Sequence, residues 1–182
     1  MNNVIDYLPP HIKDYVVCIY KTGSQLFCTN CKDVDYVVLT NTDIGSLHYI
    51  YELKADCFLM SVDNFKTALT DDRWRYKLSA CMAYANSENV VYGELPEVEI
   101  DIFSKDYLIK TALPIEYTYA GRTYFQRYPL KTMMWGLALC YAIENGNFEF
   151  TEEQKAILQK AHDLGLSTEY RDELKINIEA LL

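Results

Sequence analysis

Asp33 and Asp35 stand two residues apart at the head of an apolar run, Asp33-Val34-Asp35-Tyr36-Val37-Val38-Leu39. In a strand, residues two apart share a face, so these carboxylates would lie about 6.5–7 Å apart along the chain. Carboxylates held side by side repel, at a cost that grows outside bulk water unless a cation sits between them. A divalent-metal site is the economical reading, and solvated carboxylates flanking a turn are the plain alternative. Just upstream, Gly23 removes a side chain where a backbone must come close to a ligand. Ser24 is a residue type that opens helices, whose free N–H groups favour phosphate. Phosphate beside paired metal ligands suggests nucleotide chemistry.

The same stretch runs from an apolar segment, Tyr15 to Tyr20, through Gly23-Ser24 and a short loop to Asp33-x-Asp35 at the start of a second apolar segment. It resembles the signature of the polymerase-beta-like nucleotidyltransferase superfamily, and over most of the chain it is weakly similar to small predicted nucleotidyltransferases of bacteria and their phages. Asp56-Cys57-Phe58-Leu59-Met60, followed by Ser61 and a segment rich in Phe and Leu, looks like the family's continuation, an acid-led strand and a Ser-capped helix. The resemblance implies an α+β fold, with a small mixed or antiparallel nucleotidyltransferase sheet flanked by helices over residues 1–103. A C-terminal helical region, 104–182, would pack on it. The implied reaction moves a nucleoside monophosphate from a nucleoside triphosphate such as ATP to a hydroxyl acceptor, with release of pyrophosphate. The acceptor could be an RNA end, a protein or a small molecule. Two magnesium ions, or manganese in their place, would be held by Asp33, Asp35 and a third carboxylate, and Gly23 and Ser24 would position the triphosphate. Relatives also carry a Lys near the start of a C-terminal helix and a His one turn later. Lys131 fits the first position as a phosphate contact, or as a solvated first-turn residue, and Trp135 occupies the second.

Asp56 and Asp101 compete for the third carboxylate. Glu97, Glu99 and Asp101 alternate with apolar residues and would all point one way, as on a solvated edge. Asp56 is an isolated acid leading an apolar strand, where a buried carboxylate needs a partner. The short connection from Asp35 allows neighbouring strands to bring Asp56 beside it, and Asp56 is the residue we assign. The loop holds eight residues between Ser24 and Asp33, short for the family, and Cys28 stands where a glycine is usual. The short loop supports a second reading, a catalytically weak or inactive protein of the same fold acting as a binding or regulatory partner, in the manner of an antitoxin.

The elements that must position these residues follow from local patterning. Residues 1–14 read as a helical turn broken at Pro9-Pro10, then come strands at Tyr15–Tyr20, Asp33–Thr40, His48–Leu53 and Ala55–Met60, with a turn near Lys54. Ser61 caps a helix whose Val62, Phe65 and Leu69 share a face. A helix is expected from Asp71, a brief strand at Asn89–Tyr92, an extended edge at Glu97–Ile102 and a Ser104-capped helix ending before Pro114. Residues 115–128 interleave tyrosines and Phe125 with Arg122 and Arg127. They could stack a base and hold phosphate, or seal a joint in the core. Pro129 opens a helix to Glu144 that is apolar nearly all round. Thr151-Glu152-Glu153-Gln154 is a capping box opening a helix to Gly165, and Thr168 opens the last helix.

Half the residues are apolar and 24% are charged, which describes a globular chain long enough to bury a core. The formal charge of −9 argues against a broad nucleic-acid surface, which needs Lys and Arg to neutralise phosphates. No apolar run reaches membrane-spanning length, and Met1 to Pro10 lacks the basic and apolar parts of a signal peptide. Cys18, Cys57, Cys81 and Cys140 sit in apolar runs, as reduced structural cysteines do, and a cytoplasmic protein is expected. Cys28-x-x-Cys31 lacks a second pair at zinc spacing and reads as two loop thiols. His11, His48 and His162 show no ligand or triad spacing.

Overall fold

The computed structural model describes residues 3–29, 31, 34–45, 47–70, 83–84, 86–98, 116–119, 122–125, 134, 137–138, 140–142 and 144–164. The chain divides into two compact units, Met1–Ile100 and Asp101–Leu182.

The first unit is built on a five-stranded sheet. Its strands are β1 (Val16–Thr22), β2 (Val34–Thr40), β3 (Leu47–Ile50), β4 (Ala55–Ser61) and β5 (Val90–Gly93), in the order β3-β4-β2-β1-β5. β2 and β4 are parallel, and every other pairing in this sheet is antiparallel. A parallel neighbour requires a crossover, and here the chain makes it by passing outward through β3 before re-entering as β4. The sheet is mixed and the unit carries helices on it, so the α+β expectation holds at that level.

Alternation along the strands supplies two apolar faces. Ile19, Val38, Cys57 and Leu59 face one core together with Val4, Leu8 and Ile12 of the N-terminal segment. That segment is a 3₁₀ turn, Val4–Tyr7, followed by α1 (Pro10–Lys13), with Pro10 at a first helical position where its missing N–H costs nothing. The other face buries Cys18, Tyr20, Val37 and Leu39 against Phe65 and Leu69 of α2 (Val62–Thr70). α2 begins where the sequence predicts, because the Ser61 hydroxyl accepts the Asn64 N–H at 3.2 Å. Burial along β2 is uneven: residues 37–40 are buried, whereas residues 34–36 at its start are only partly covered.

Several boundaries differ from the local reading. β3 stops at Ile50, and residues 51–54 form a turn that Lys54 closes at φ 50°. The aromatic and β-branched run continued the strand pattern to Leu53, but pairing with β4 ends where the chain reverses. Glu97 and Val98 lie outside any strand, so the predicted edge does not begin there. Its residues 99–102, and the helices expected from Asp71, Ser104 and Thr168, lie outside the described residues.

In the second unit, Glu116–Tyr119 (β6) and Arg122–Phe125 (β7) form a two-stranded antiparallel hairpin with a two-residue connection. The helical region expected over 104–182 thus also contains a hairpin, where alternating Tyr, Thr and Phe favour a pleated ladder. Met134, Leu137, Ala138, Cys140, Tyr141 and Ala142 are helical and buried, in keeping with an apolar segment whose sides all need cover. α3 (Glu152–Leu164) opens on the predicted capping box. The Thr151 hydroxyl accepts the Gln154 N–H at 3.2 Å, and the Gln154 side chain accepts the Thr151 N–H at 3.0 Å. No helix among the described residues is long and apolar enough to cross a membrane.

Candidate functional site

Asp35 and Asp56 each occupy the second position of a parallel strand, and the β2–β4 register sets them directly opposite one another. Register partners on neighbouring strands point to the same face, with backbones about 4.8 Å apart. Both residues are half-buried. Parity places them on the α2 face, in line with Val37 and Leu39 on β2 and with Phe58 and Met60 on β4. The row continues on both sides: Thr22 of β1 pairs with Asp35, and Tyr49 of β3 pairs with Asp56. An electrostatic trace of the cluster falls on Cys57, whose thiol is pushed up to about 12, first by burial and then by the charges of Asp56 and Asp35.

Gly23 ends β1 beside this row. Its backbone is left-handed at φ +81°, and a Cβ placed on it would overlap the Asp35 Oδ2 and stand 2.9 Å from Cγ. Only glycine meets both demands, the backbone angle and the room for the carboxylate. Gln25 completes the corner. Its Nε2 donates to the Thr22 carbonyl at 2.7 Å and to the Asp35 carbonyl at 2.5 Å, tying together the last pair of the β1–β2 ladder. Sequence reasoning missed Gln25, because both of its acceptors are backbone groups brought together only by strand pairing.

Ser24 follows Gly23 directly. It lies inside a three-residue 3₁₀ turn, Ser24–Leu26, whose cap is Gly23. The Ser24 hydroxyl donates to the Cys31 sulfur at 3.6 Å, and the Cys31 thiol donates to the Cys28 carbonyl at 3.2 Å. Ser24 is thus the first residue of a helical turn, with left-handed Gly23 at the cap position and the hydroxyl turned into the loop. Cys28 and Cys31 are free thiols, Cys28 being buried.

The structure therefore brings together Asp35, Asp56 and Gly23. Asp33 and Lys131, and the rival acid Asp101, lie outside the described residues. Among the described residues no group of three or more His, Cys, Asp or Glu side chains gathers to hold a metal ion. What does gather is a pair of carboxylates, hard oxygen donors of the kind magnesium and manganese accept. His48 pairs with Cys57 on the opposite face, so it does not join the pair. An open cleft lined by Lys66, Tyr84, Leu95, Pro96, Glu97 and Val98 contains none of the predicted site residues. Compared with family models, curated proteins and solved structures, the chain matches none.

Proposed function

We propose that the protein is a metal-dependent nucleotidyltransferase, moving a nucleoside monophosphate from a nucleoside triphosphate to a hydroxyl acceptor. The observation that carries this reading is the register pair Asp35–Asp56, set against the side-chain-free Gly23. Like charges on adjacent strands are destabilising unless something positive shares them. In this reading Asp35, Asp56 and Asp33 would hold magnesium or manganese, which would supply positive charge to the phosphoryl group being transferred. Gly23 lets the triphosphate approach the carboxylates closely, and Gln25 fixes the strand end that carries Asp35. Lys131 is assigned to phosphate contact. The acceptor hydroxyl gives up its proton to solvent as its oxygen bonds to the α-phosphorus, the bond from that phosphorus to the β-phosphate's bridging oxygen breaks, and pyrophosphate leaves with the displaced electron pair. The free thiols fit a reducing, cytoplasmic setting.

Turning the Ser24 hydroxyl toward Cys31 favours a second reading, a nucleotide-binding or regulatory protein without turnover. One experiment addresses both. Each α-labelled triphosphate is supplied with magnesium and cell extract, and label is followed into RNA, protein and small products, alongside direct measurement of nucleotide affinity. Transfer that disappears in Asp35→Asn supports the enzyme. Tight nucleotide binding without transfer supports the regulatory reading, and neither binding nor transfer refutes both.

A further inference from the structure

The carboxylate row does not stop at Asp56. Tyr49, its register partner on the edge strand β3, is 39% exposed, and Tyr51, just past the strand, is 81% exposed. The two rings meet edge to face, with centroids 4.9 Å apart and planes at 84°. Neither ring belongs to the core on either face of the sheet. Large aromatic rings contribute most to stability when buried; these two are held against each other and left in water at the end of a row of acids.

We propose that Tyr49 and Tyr51 form an aromatic ledge that stacks the base of a nucleotide whose phosphates lie at Asp35 and Asp56. The inference rests on the functional reading above and assigns it a base-binding element. Strand spacing sets the scale. Tyr49 is one strand from Asp56 and two from Asp35, about 10 Å along the row, which is the span of a sugar and a base beyond the α-phosphate. Cross-strand partners on one face have Cβ atoms about 4.5–5.5 Å apart, so the ledge begins where the acids end. Edge-to-face packing fixes the orientation of the rings, and at 81% exposure Tyr51 keeps ring surface open to a planar ligand. Every base has a π-face, so the ledge accepts purines and pyrimidines with modest preference. A free nucleotide is favoured over a polynucleotide, because the chain's net charge of −9 opposes an extended phosphate backbone.

The test is calorimetric titration of the full chain with a nucleoside triphosphate, with inorganic tripolyphosphate and with a single-stranded oligonucleotide, all with magnesium. Wild type, Tyr51→Ala, Tyr51→Trp and Asp35→Asn are compared. Tyr51 is so exposed that its replacement leaves folding intact, which the melting temperature checks. Tyr51→Ala should weaken triphosphate binding about 5- to 150-fold, leave tripolyphosphate binding unchanged and be rescued by Tyr51→Trp. Unchanged nucleotide binding in Tyr51→Ala, with Asp35→Asn still weakening it, overturns the ledge and spares the carboxylate reading. Binding lost in Tyr51→Ala but not in Asp35→Asn upholds the ledge and overturns the carboxylate reading. Binding of the oligonucleotide in preference to the triphosphate, or of no nucleotide at all, overturns the proposal.

Discussion

The two ends of the parallel pair β2–β4 carry polar residues in register, and they are built in opposite ways. At one end Thr40 faces Ser61 in a buried setting. The Thr40 hydroxyl is within bonding distance of the Thr42 carbonyl at 2.7 Å and the Met60 carbonyl at 3.3 Å, and the Ser61 hydroxyl caps α2. These neutral groups are engaged by the backbone and serve the fold. At the other end Asp35 faces Asp56, two like charges half open to solvent, with a glycine backbone pressed against one of them. A pair whose members repel each other is the sort of local conflict that marks a functional site.

The largest effect separating the two ends should come from Asp35→Asn. If the acid end holds the metal, turnover should fall about 10²–10³-fold, as expected on losing a metal ligand. A variant with full transferase activity would sink the metal reading. Gly23→Ala comes next, because it adds a methyl group where the Asp35 carboxylate lies and imposes left-handed strain of about 1–2 kcal/mol. Chemical denaturation and nucleotide titration should show both lowered stability and weakened binding. Gly45→Ala is the control. Gly45 also has a positive φ, +137°, but nothing stands within 4 Å, so stability alone should drop.

At the opposite end, Thr40→Val removes a buried hydroxyl and leaves carbonyls short of a donor, for a loss of about 1 kcal/mol. Magnesium dependence and nucleotide affinity should stay at wild-type values; a change in either would mean that the two ends are coupled. The smallest effect concerns Cys18, which pairs with Leu39 in the buried part of the sheet. Burial pushes its thiol from the ordinary 9.0 up to about 11. Between pH 9 and 11 the unfolded chain has lost this proton while the folded chain keeps it, so stability present below pH 9 declines as pH rises toward 11. Denaturation midpoints across that window should fall less steeply in Cys18→Ala than in wild type, and equal slopes would rule this origin out.

Much of this division was legible in the sequence, because its signals are local. Acids leading apolar runs announced the starts of β2 and β4, Ser61 announced α2, and Thr151 with Gln154 announced α3. The adjacency of Asp35 and Asp56 was reachable because a short connection leaves few ways to arrange the strands. What escaped depends on pairing between distant segments. β3 ends at Ile50 because the turn to β4 fixes it there, whatever Tyr51 and Leu53 prefer. That Gly23 leaves room for the Asp35 carboxylate shows only once β1 and β2 pair. The hairpin at 116–125 hides in a run whose aromatics suit a core as well as a ladder. Tyr49 and Tyr51 read as ordinary strand residues until register sets Tyr49 beside Asp56.

The claim that Asp35 and Asp56 share a divalent cation is tested most directly by binding. Manganese is titrated into wild type, Asp56→Asn and Asp101→Asn, and the bound fraction is read by electron paramagnetic resonance with melting temperature as the check on folding. Affinity should fall more than about tenfold in Asp56→Asn, as expected on losing an oxygen ligand, and stay unchanged in Asp101→Asn. Wild-type affinity in Asp56→Asn, or a loss confined to Asp101→Asn, would contradict the claim.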